Sequence, residues 1–341
     1  MSSINNHPSN RRGKKTHFHY APKEKQKQQK LLLVGVFVCL AALVLGLYHI
    51  IRYAGEHVAH QQNTEEIRDA YYTARQDEQN GELPGQAQNP EGVDDPGSNA
   101  AALQAQATAV PAATAAPVRS GMLPLVHFPG NFNAKVRDSF QVLRLSHSPD
   151  IMGWLKIGTT LDEPVVQKDN TYYLRRDYKG NDNNNGTLFL DEGTQWKTRP
   201  YTLMIYGHNM KSGAMFGHLK SYEKADYFQD HAIITFDNAF EDGRYVVFAV
   251  GTYSLKNGHD QYVSLSRLDS RDIGGREKEI RQLQAGAVKK ANVDVQAEDQ
   301  LLLLITCVDD DNERRILAAR RVRENETEQE LIRQVREGFA K

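Results

Sequence analysis

Cysteine is scarce in this sequence, since its 341 residues contain only Cys39 and Cys307. Two cysteines allow one disulfide at most, which excludes a fold held together by several. The net charge is also small, because 42 Lys and Arg nearly balance 43 Asp and Glu. No internal repeat is visible in the sequence. The hydrophobic content of 40% is instead enough for one sizeable core, in a chain long enough for one or two domains.

The near-neutral total hides a shortage of acids at the start of the chain. The first 30 residues contain eight Lys or Arg and a single acid, Glu24, a local charge of +7 that leaves −8 for the remainder. Residues 31–51, LLLVGVFVCLAALVLGLYHII, then contain no Asp, Glu, Lys or Arg. These 21 residues match the roughly 20 that a helix needs to cross the hydrocarbon layer of a membrane.

A cleaved signal peptide and a buried core helix both fit this apolar stretch less well than a membrane span. A signal peptide would have a shorter apolar region with small residues beyond it, whereas the bulky segment YHIIRY follows here. A core helix is rarely apolar on every face over such a length. The sequence therefore predicts a transmembrane helix over 31–51. The basic tail, 1–30, is expected in the cytoplasm and everything after Arg52 outside the cell.

This orientation determines how the two cysteines are interpreted. Cys39 lies inside the predicted span, where it serves as a small apolar side chain, with palmitoylation or a helix contact as alternatives. Cys307 is then alone outside the membrane, without a disulfide partner in its own chain. Such a cysteine is either a buried inert thiol or a reactive one.

Composition divides the rest of the chain into three parts. Residues 52–130 are predicted to be a polar stalk, which could also form a helix over 54–80, followed by a disordered linker rich in Ala, Pro and Gln. The linker has too few large apolar groups to offset the entropy of ordering. Residues 131–323 form the predicted globular domain. Residues 324–341 are predicted to be a short amphipathic helix with one apolar face, made by Leu331, Ile332, Val335 and Phe339.

Short β-rich runs dominate the region from 131 to 323. The segments PVVQ, TLFLD, YTLMIYGH, AIITFD, RYVVFAVGTYSL and LLLLITC are separated by Gly, Asn and Asp clusters. A helix followed by a strand is predicted for FQVLRLSHSPDIMGWLKI. Residues 276–291 show the clearest helical period, with Ile280, Leu283 and Val288 on one side. The pattern predicts a mainly β domain of about 190 residues, either a barrel or a sandwich.

Three side chains have the properties that cysteine acyl transfer needs. Cys307 ends an apolar strand and begins a polar loop, and Arg314 and Arg315 start the next apolar run. If these two runs pair as a hairpin, a guanidinium beside Cys307 favours the thiolate and can hold a developing oxyanion. His208 also follows a strand directly, in YTLMIYGH. From the residues alone, an inert cysteine and a solvated arginine remain the alternative.

An ordered series of motifs is similar to that of a known family. The segments DIMGWLKI, DEPVVQ, DNTYYL, GTLFLD, LMIYGHNMKSGAMFGHL, ITC and RRIL resemble those of the class B sortases, the membrane-anchored cysteine transpeptidases of Gram-positive bacteria. The resemblance covers roughly residues 135–322, and the basic tail, single span and tether also match. It implies a closed eight-stranded sortase β-barrel with N-terminal helices and a helix in the connection between the sixth and seventh strands.

The resemblance also assigns roles to residues. It implies that the catalytic residues are Cys307, His208 and Arg315. Arg315 is preferred to Arg314 because the family's arginine directly precedes an apolar strand, and strand alternation allows only one of the two to line the groove. The residues expected to bind substrate are Asn170, Leu174, Thr306 and Asn209. Leu303 and Ile305 depart from the family's pattern, so substrate preference does not transfer.

The function implied by the resemblance is sorting of exported proteins at the cell surface. The enzyme would cleave a C-terminal sorting motif through a thioacyl intermediate and pass the protein to an amine of a cell-wall precursor or a pilin. No cofactor, metal or nucleic acid is expected. The run Asp309, Asp310 and Asp311 is not interpreted as a metal site, because it lacks the spacing of an EF-hand loop. Asp309 is either a solvated turn residue or an orienting one. An extracytoplasmic cysteine protease and a non-catalytic membrane-anchored binding module remain alternatives.

Overall fold

The computed structural model describes residues 23–83, 119–210, 212–307 and 313–339. The chain divides into two compact units, Met1–Gly55 and Glu56–Lys341. In the first unit, residues 31–51 are exposed and belong to the helix α1 (Lys23–Asn80). This helix is long and apolar enough to cross a membrane by length and composition. The predicted helix is therefore present, and its insertion in a membrane stays a prediction.

Eight strands of the second unit form a closed ring. Their order is β5-β1-β2-β3-β4-β8-β9-β6, and pairing of β5 with β6 closes it, while the two-residue strand β7 pairs with β6 outside the ring. This confirms the predicted closed eight-stranded barrel. The strands are β1 (Ile151–Ile157), β2 (Leu161–Val166), β3 (Leu188–Leu190), β4 (Thr202–Tyr206), β5 (Ile233–Asn238), β6 (Arg244–Ser254), β7 (Lys289–Lys290), β8 (Leu301–Cys307) and β9 (Glu313–Arg321).

The strand β8 shows why its sequence has no alternation of polar and apolar residues. It lies between β4, to which it is parallel, and β9, to which it is antiparallel. Residues 301–305 are all fully buried. A strand covered on both faces is a continuous apolar run rather than an alternating one. The LLLLI segment is therefore a strand of the barrel that is buried on both faces.

Helices cover the barrel and fill its connections. Besides α1 they are α2 (Asp138–Ser146), α3 (Ala225–Asp230), α4 (Leu265–Asp269), α5 (Ile273–Ala285) and α6 (Glu328–Phe339). Two short 3₁₀ helices span Tyr172–Arg175 and Phe216–Glu223. The helices α4 and α5 lie between β6 and β8, the sixth and seventh strands of the ring in chain order. This confirms the helix expected in that connection.

The bounds predicted for α5 were wrong. The helix begins at Ile273, where the carboxylate of Asp272 caps it by accepting from the N–H of Gly275 at 3.0 Å. It ends at Ala285, and Val288 lies beyond it with 60% of its side chain exposed. Only Ile280 and Leu283 of the predicted face are buried. The apolar period continued past the end of the helix by coincidence.

The packed unit begins earlier in the chain than residue 131, because residues 56–80 are helical and contact the barrel. Ile67, Tyr71 and Ala74 of this segment are buried at helical spacing. The ring of Tyr71 stacks on that of Trp154 at 4.3 Å, and its hydroxyl donates to Asp237 at 2.9 Å. The first part of the predicted stalk is therefore a structural helix of the domain.

The helix α6 (Glu328–Phe339) lies within the segment 324–341 for which an amphipathic helix is expected. Leu331 and Val335 are buried, and the ring of Phe339 lies 5.0 Å from that of Phe228 on α3. The apolar face of this helix thus packs on its own domain.

Candidate active site

Two parallel strands end side by side at the barrel rim. In the pairing of β4 with β8, Tyr206 lies opposite Ile305, and the N–H of Gly207 donates to the carbonyl of Ile305 at 3.2 Å. His208 comes two residues after Tyr206, and Cys307 comes two residues after Ile305. Neighbouring strands lie about 4.8 Å apart. The backbone therefore brings the predicted histidine and cysteine positions to the same point of the rim.

A cavity of about 300 Å³ opens at this rim. Its lining is largely apolar with a few polar groups, as is usual for a site that binds a ligand. Asn170, Leu174, Thr306 and His208, all predicted from the sequence, meet in it. The complete lining is Asn170, Leu174, Phe189, Tyr206, Gly207, His208, Leu255, Ile305, Thr306 and Arg314.

The register of β9 distinguishes the two arginines. In the antiparallel pair of β8 and β9, Cys307 lies opposite Arg314 and Thr306 lies opposite Arg315. Arg314 lines the cavity. Arg315 pairs instead with Glu223, with Nη2 and Oε1 3.2 Å apart, and only 12% of its side chain is exposed.

The imidazole of His208 is oriented by a backbone carbonyl. Its Nε2 lies 2.6 Å from the carbonyl oxygen of Leu174. Since a carbonyl oxygen only accepts, Nε2 carries a proton, and the lone pair of the neutral ring is then on Nδ1. Leu174 thus contributes its side chain to the cavity and its backbone to the histidine.

The loop after His208 is tightly closed. The N–H of Phe216 donates to the carbonyl of His208 at 3.0 Å, and Asn209 forms an isolated bridge with Met215. Met215 has a φ of 53°, a positive angle that residues with a side chain rarely adopt, and its side chain is buried. At Gly217 a Cβ would lie 2.2 Å from the carbonyl oxygen of Met210, so only glycine fits. These contacts fix the position of the His208 backbone just after the end of β4.

Two predicted site residues, Arg315 and Asn209, are not among the residues that line the cavity. The side chain of Arg315 pairs with Glu223. The family resemblance favours Arg315, which directly precedes the apolar run ILAA, whereas the strand register places Arg314 opposite Cys307. Asn209 is exposed, and its backbone bridge to Met215 places it in the loop.

Sequence reasoning missed Tyr206, which lines the cavity, and Asp191, which bonds to two of the lining residues. The carboxylate of Asp191, directly after β3, accepts from the hydroxyl of Tyr206 at 3.0 Å and from Nδ2 of Asn170 at 3.3 Å. Burial and, after it, the charge of Asp191 raise the pKa of Tyr206 above its ordinary value. Asp191 ends the motif GTLFLD, which was the available signal.

The acidic residues that follow β8 are not among those with a described position. Asp309, Asp310 and Asp311 lie outside the residues that the structure describes, so the role of Asp309 stays open. Within the described ranges, no group of three or more His, Cys, Asp or Glu is placed to hold a metal ion.

Residues 156–322 match the family model described as the sortase domain. Sortase B of Listeria monocytogenes is 31% identical over 179 residues, which cover 52% of this chain and 70% of the relative. Sortase B of Staphylococcus aureus is 30% identical over 176 residues, covering 51% and 69%. Among solved structures, a Bacillus anthracis protein described as similar to sortase B is 30% identical and covers 60% of this chain and 89% of its own, with a TM-score of 0.49.

Proposed function

The chain belongs to the sortase family and to its class B, and from this premise we propose that it is a cysteine transpeptidase with Cys307 as its nucleophile. One observation carries the proposal. The strand β4 ends two residues before His208, beside the end of β8 at Cys307, and a cavity that Arg314 lines opens there.

The proposed reaction has two acyl transfers. The thiolate of Cys307 attacks the carbonyl carbon of a backbone amide, that of a threonine in a C-terminal sorting motif. The amide C–N bond breaks, and His208 gives a proton to the departing amine. An incoming amine then loses a proton to His208 and attacks the thioacyl carbon, which releases the thiolate.

We propose Arg314 as the arginine of the site. Two findings support it over Arg315: its position opposite Cys307 in the strand register and its place in the cavity lining. A guanidinium there stabilises the thiolate and the oxyanion that forms on the substrate carbonyl. The side chain of Arg315 pairs with Glu223, and that of Arg314 donates to the carbonyl of Glu313 at 2.8 Å.

The cavity is the proposed groove for the sorting motif. Asn170, Leu174 and Thr306 line it and stay the proposed substrate-binding residues. Both departures from the family's pattern, Leu303 and Ile305, are fully buried in β8, and Ile305 is the one that lines the cavity. The difference in substrate preference is therefore expected to come from Ile305.

The proposed location is the outer face of a cell membrane. The apolar segment 31–51 would anchor the chain, with the basic residues 1–30 in the cytoplasm and the catalytic domain outside. The proposed partners are exported proteins with a sorting motif and an amine of a cell-wall precursor or a pilin.

The test uses the full chain in detergent, incubated with a library of sorting-motif peptides with and without triglycine as the amine. Mass spectrometry is expected to show an acyl adduct on Cys307 and, with triglycine, a peptide ligated to it. Cys39→Ala is the matched control that leaves a single thiol. Release of peptide without any amine in the product would favour the protease alternative, and absence of both adduct and product would favour the binding module.

A further inference from the structure

Asp191 connects two parts of the rim that the proposed mechanism uses separately. Its Oδ2 accepts from the hydroxyl of Tyr206 at 3.0 Å and from Nδ2 of Asn170 at 3.3 Å. Its Oδ1 accepts from the N–H of Gly193 at 2.9 Å, which holds the carboxylate in the turn after β3. One side chain therefore joins the β3 turn, the end of β4 and the segment that begins at Asn170.

The contact with Asn170 fixes the plane of a groove side chain. Oδ1 of Asn170 accepts from the N–H of Glu192 at 2.9 Å, while its Nδ2 donates to Asp191. A carboxamide can make about four hydrogen bonds, so these two orient the group and leave its other positions for a substrate backbone. Asn170 thus lines the cavity in one orientation.

The contact with Tyr206 acts on the strand that carries the histidine. Tyr206 is the last residue of β4, two residues before His208, and it lines the cavity. A carboxylate has no proton to donate, so the phenol hydroxyl is the donor of this bond. This bond ties the end of β4 to the turn after β3.

The segment that begins at Asn170 also reaches the histidine from its other side. Four residues after Asn170, the carbonyl of Leu174 accepts from Nε2 of His208 at 2.6 Å. Asp191 is therefore bonded both to the strand end that leads into His208 and to the segment whose carbonyl orients its ring.

We propose that Asp191 is a positioning residue of the transpeptidase site, which acts on His208 through Tyr206 and through the segment 170–174. This proposal rests on the proposed function. It predicts that removing the carboxylate changes the catalytic rate and the orientation of the imidazole together, because a misplacement of about 1 Å costs roughly 100-fold in rate.

Asp191→Asn is the sharpest variant, because it keeps the shape of the side chain. Whichever way the new amide turns, either Gly193 or the pair Tyr206 and Asn170 then faces an N–H donor instead of an acceptor. Asp237→Asn is the matched control, since Asp237 also accepts from a tyrosine, Tyr71 on α1, at 2.9 Å. We expect kcat/KM to fall about 10- to 100-fold in Asp191→Asn and to stay within about 2-fold in the control.

A second readout observes the histidine directly. In the full chain labelled with ¹⁵N-histidine, the Nε2–H signal of His208, assigned with His208→Gln, is expected to shift and to exchange faster with water in Asp191→Asn. The control variant should leave it unchanged. An unchanged signal and an unchanged kcat/KM in Asp191→Asn would overturn the proposal, as would equal losses in both variants that follow their loss of thermal stability. If the wild type ligates no amine, the proposed function fails, whereas the ring signal still tests the role of Asp191.

Discussion

The rim where β8 ends and β9 begins and the connection that contains α5 both contain arginines, partly buried at the rim and fully buried in the connection, but they use the charge differently. In the connection, Arg276 is fully buried and donates to backbone carbonyls from several segments. Its acceptors are Ala297 at 2.7 Å, Asp299 at 2.9 Å, Tyr201 at 3.2 Å, the hydroxyl of Thr202 at 2.9 Å, and the carbonyl of Leu268.

At the rim, the two consecutive arginines divide their roles. Arg315 is bound by Glu223, and Arg314 borders the cavity.

Burial lowers the pKa of Arg276 to about 10, which still leaves it charged at neutral pH. The connection therefore uses its arginine to hold the fold, whereas the rim has one beside the expected nucleophile. Substitutions at the rim should change rate, and those in the connection should change stability.

The largest expected effect is that of Cys307→Ala. Removal of the nucleophile should lower peptide turnover by at least about 10⁴-fold, because no covalent intermediate can form. The melting temperature should stay close to that of the wild type. Turnover is measured with the best peptide from the library and triglycine, and the detergent-solubilised Cys39→Ala chain is the control. Turnover that survives the change would mean that Cys307 is not the nucleophile.

Arg276→Met should show the opposite behaviour. Loss of the guanidinium leaves several buried carbonyls without a donor, so the free energy of unfolding should fall by about 3–5 kcal/mol. The melting temperature should then fall by roughly 10 °C, measured by calorimetry. At low temperature, where the variant is folded, its kcat/KM should be close to the wild-type value. A large loss of rate without a loss of stability would remove the distinction between the two regions.

Arg314→Met and Arg315→Met test the distinction within the rim. Arg314→Met should lower kcat/KM by about 10²- to 10³-fold, as loss of an oxyanion donor does. Arg315→Met should lower kcat/KM less than about 10-fold, and Glu223→Gln should match it, because both break the same ion pair. Kinetics at one temperature and one pH decide the order. The reverse order would return the catalytic assignment to Arg315.

The sequence predicted the parts of this site that follow from strand ends. YTLMIYGH and LLLLITC are recognisable strands, and His208 and Cys307 each follow an apolar run. The register in which two strands pair is harder to predict from sequence. A shift of one residue moves every side chain of a strand to the opposite face. The choice between Arg314 and Arg315 depended on that register and was therefore not available from the apolar run.

Long-range packing accounts for the remaining differences between sequence and structure. Arg276 lies in a polar helical segment, and nothing local indicates that carbonyls from distant loops surround it. Ile67, Tyr71 and Ala74 are few apolar residues among many polar ones, so the composition of residues 56–80 does not show that this segment packs on the domain. Propensity and composition identify elements, whereas tertiary contacts decide which of them are buried.

The smallest expected effect is that of Asn209→Ala, which completes the comparison at the loop beside the rim. Asn209 follows His208 directly, yet it is exposed and the loop is closed by its backbone bridge to Met215. A backbone bridge survives truncation of the side chain, and exposed substitutions usually change stability by less than about 0.5 kcal/mol. We therefore expect kcat/KM and the melting temperature to stay within about 3-fold and 2 °C of the wild type. A KM that rises about 10-fold or more would show that the groove extends over this loop, because only contact with the peptide would make so exposed a side chain matter.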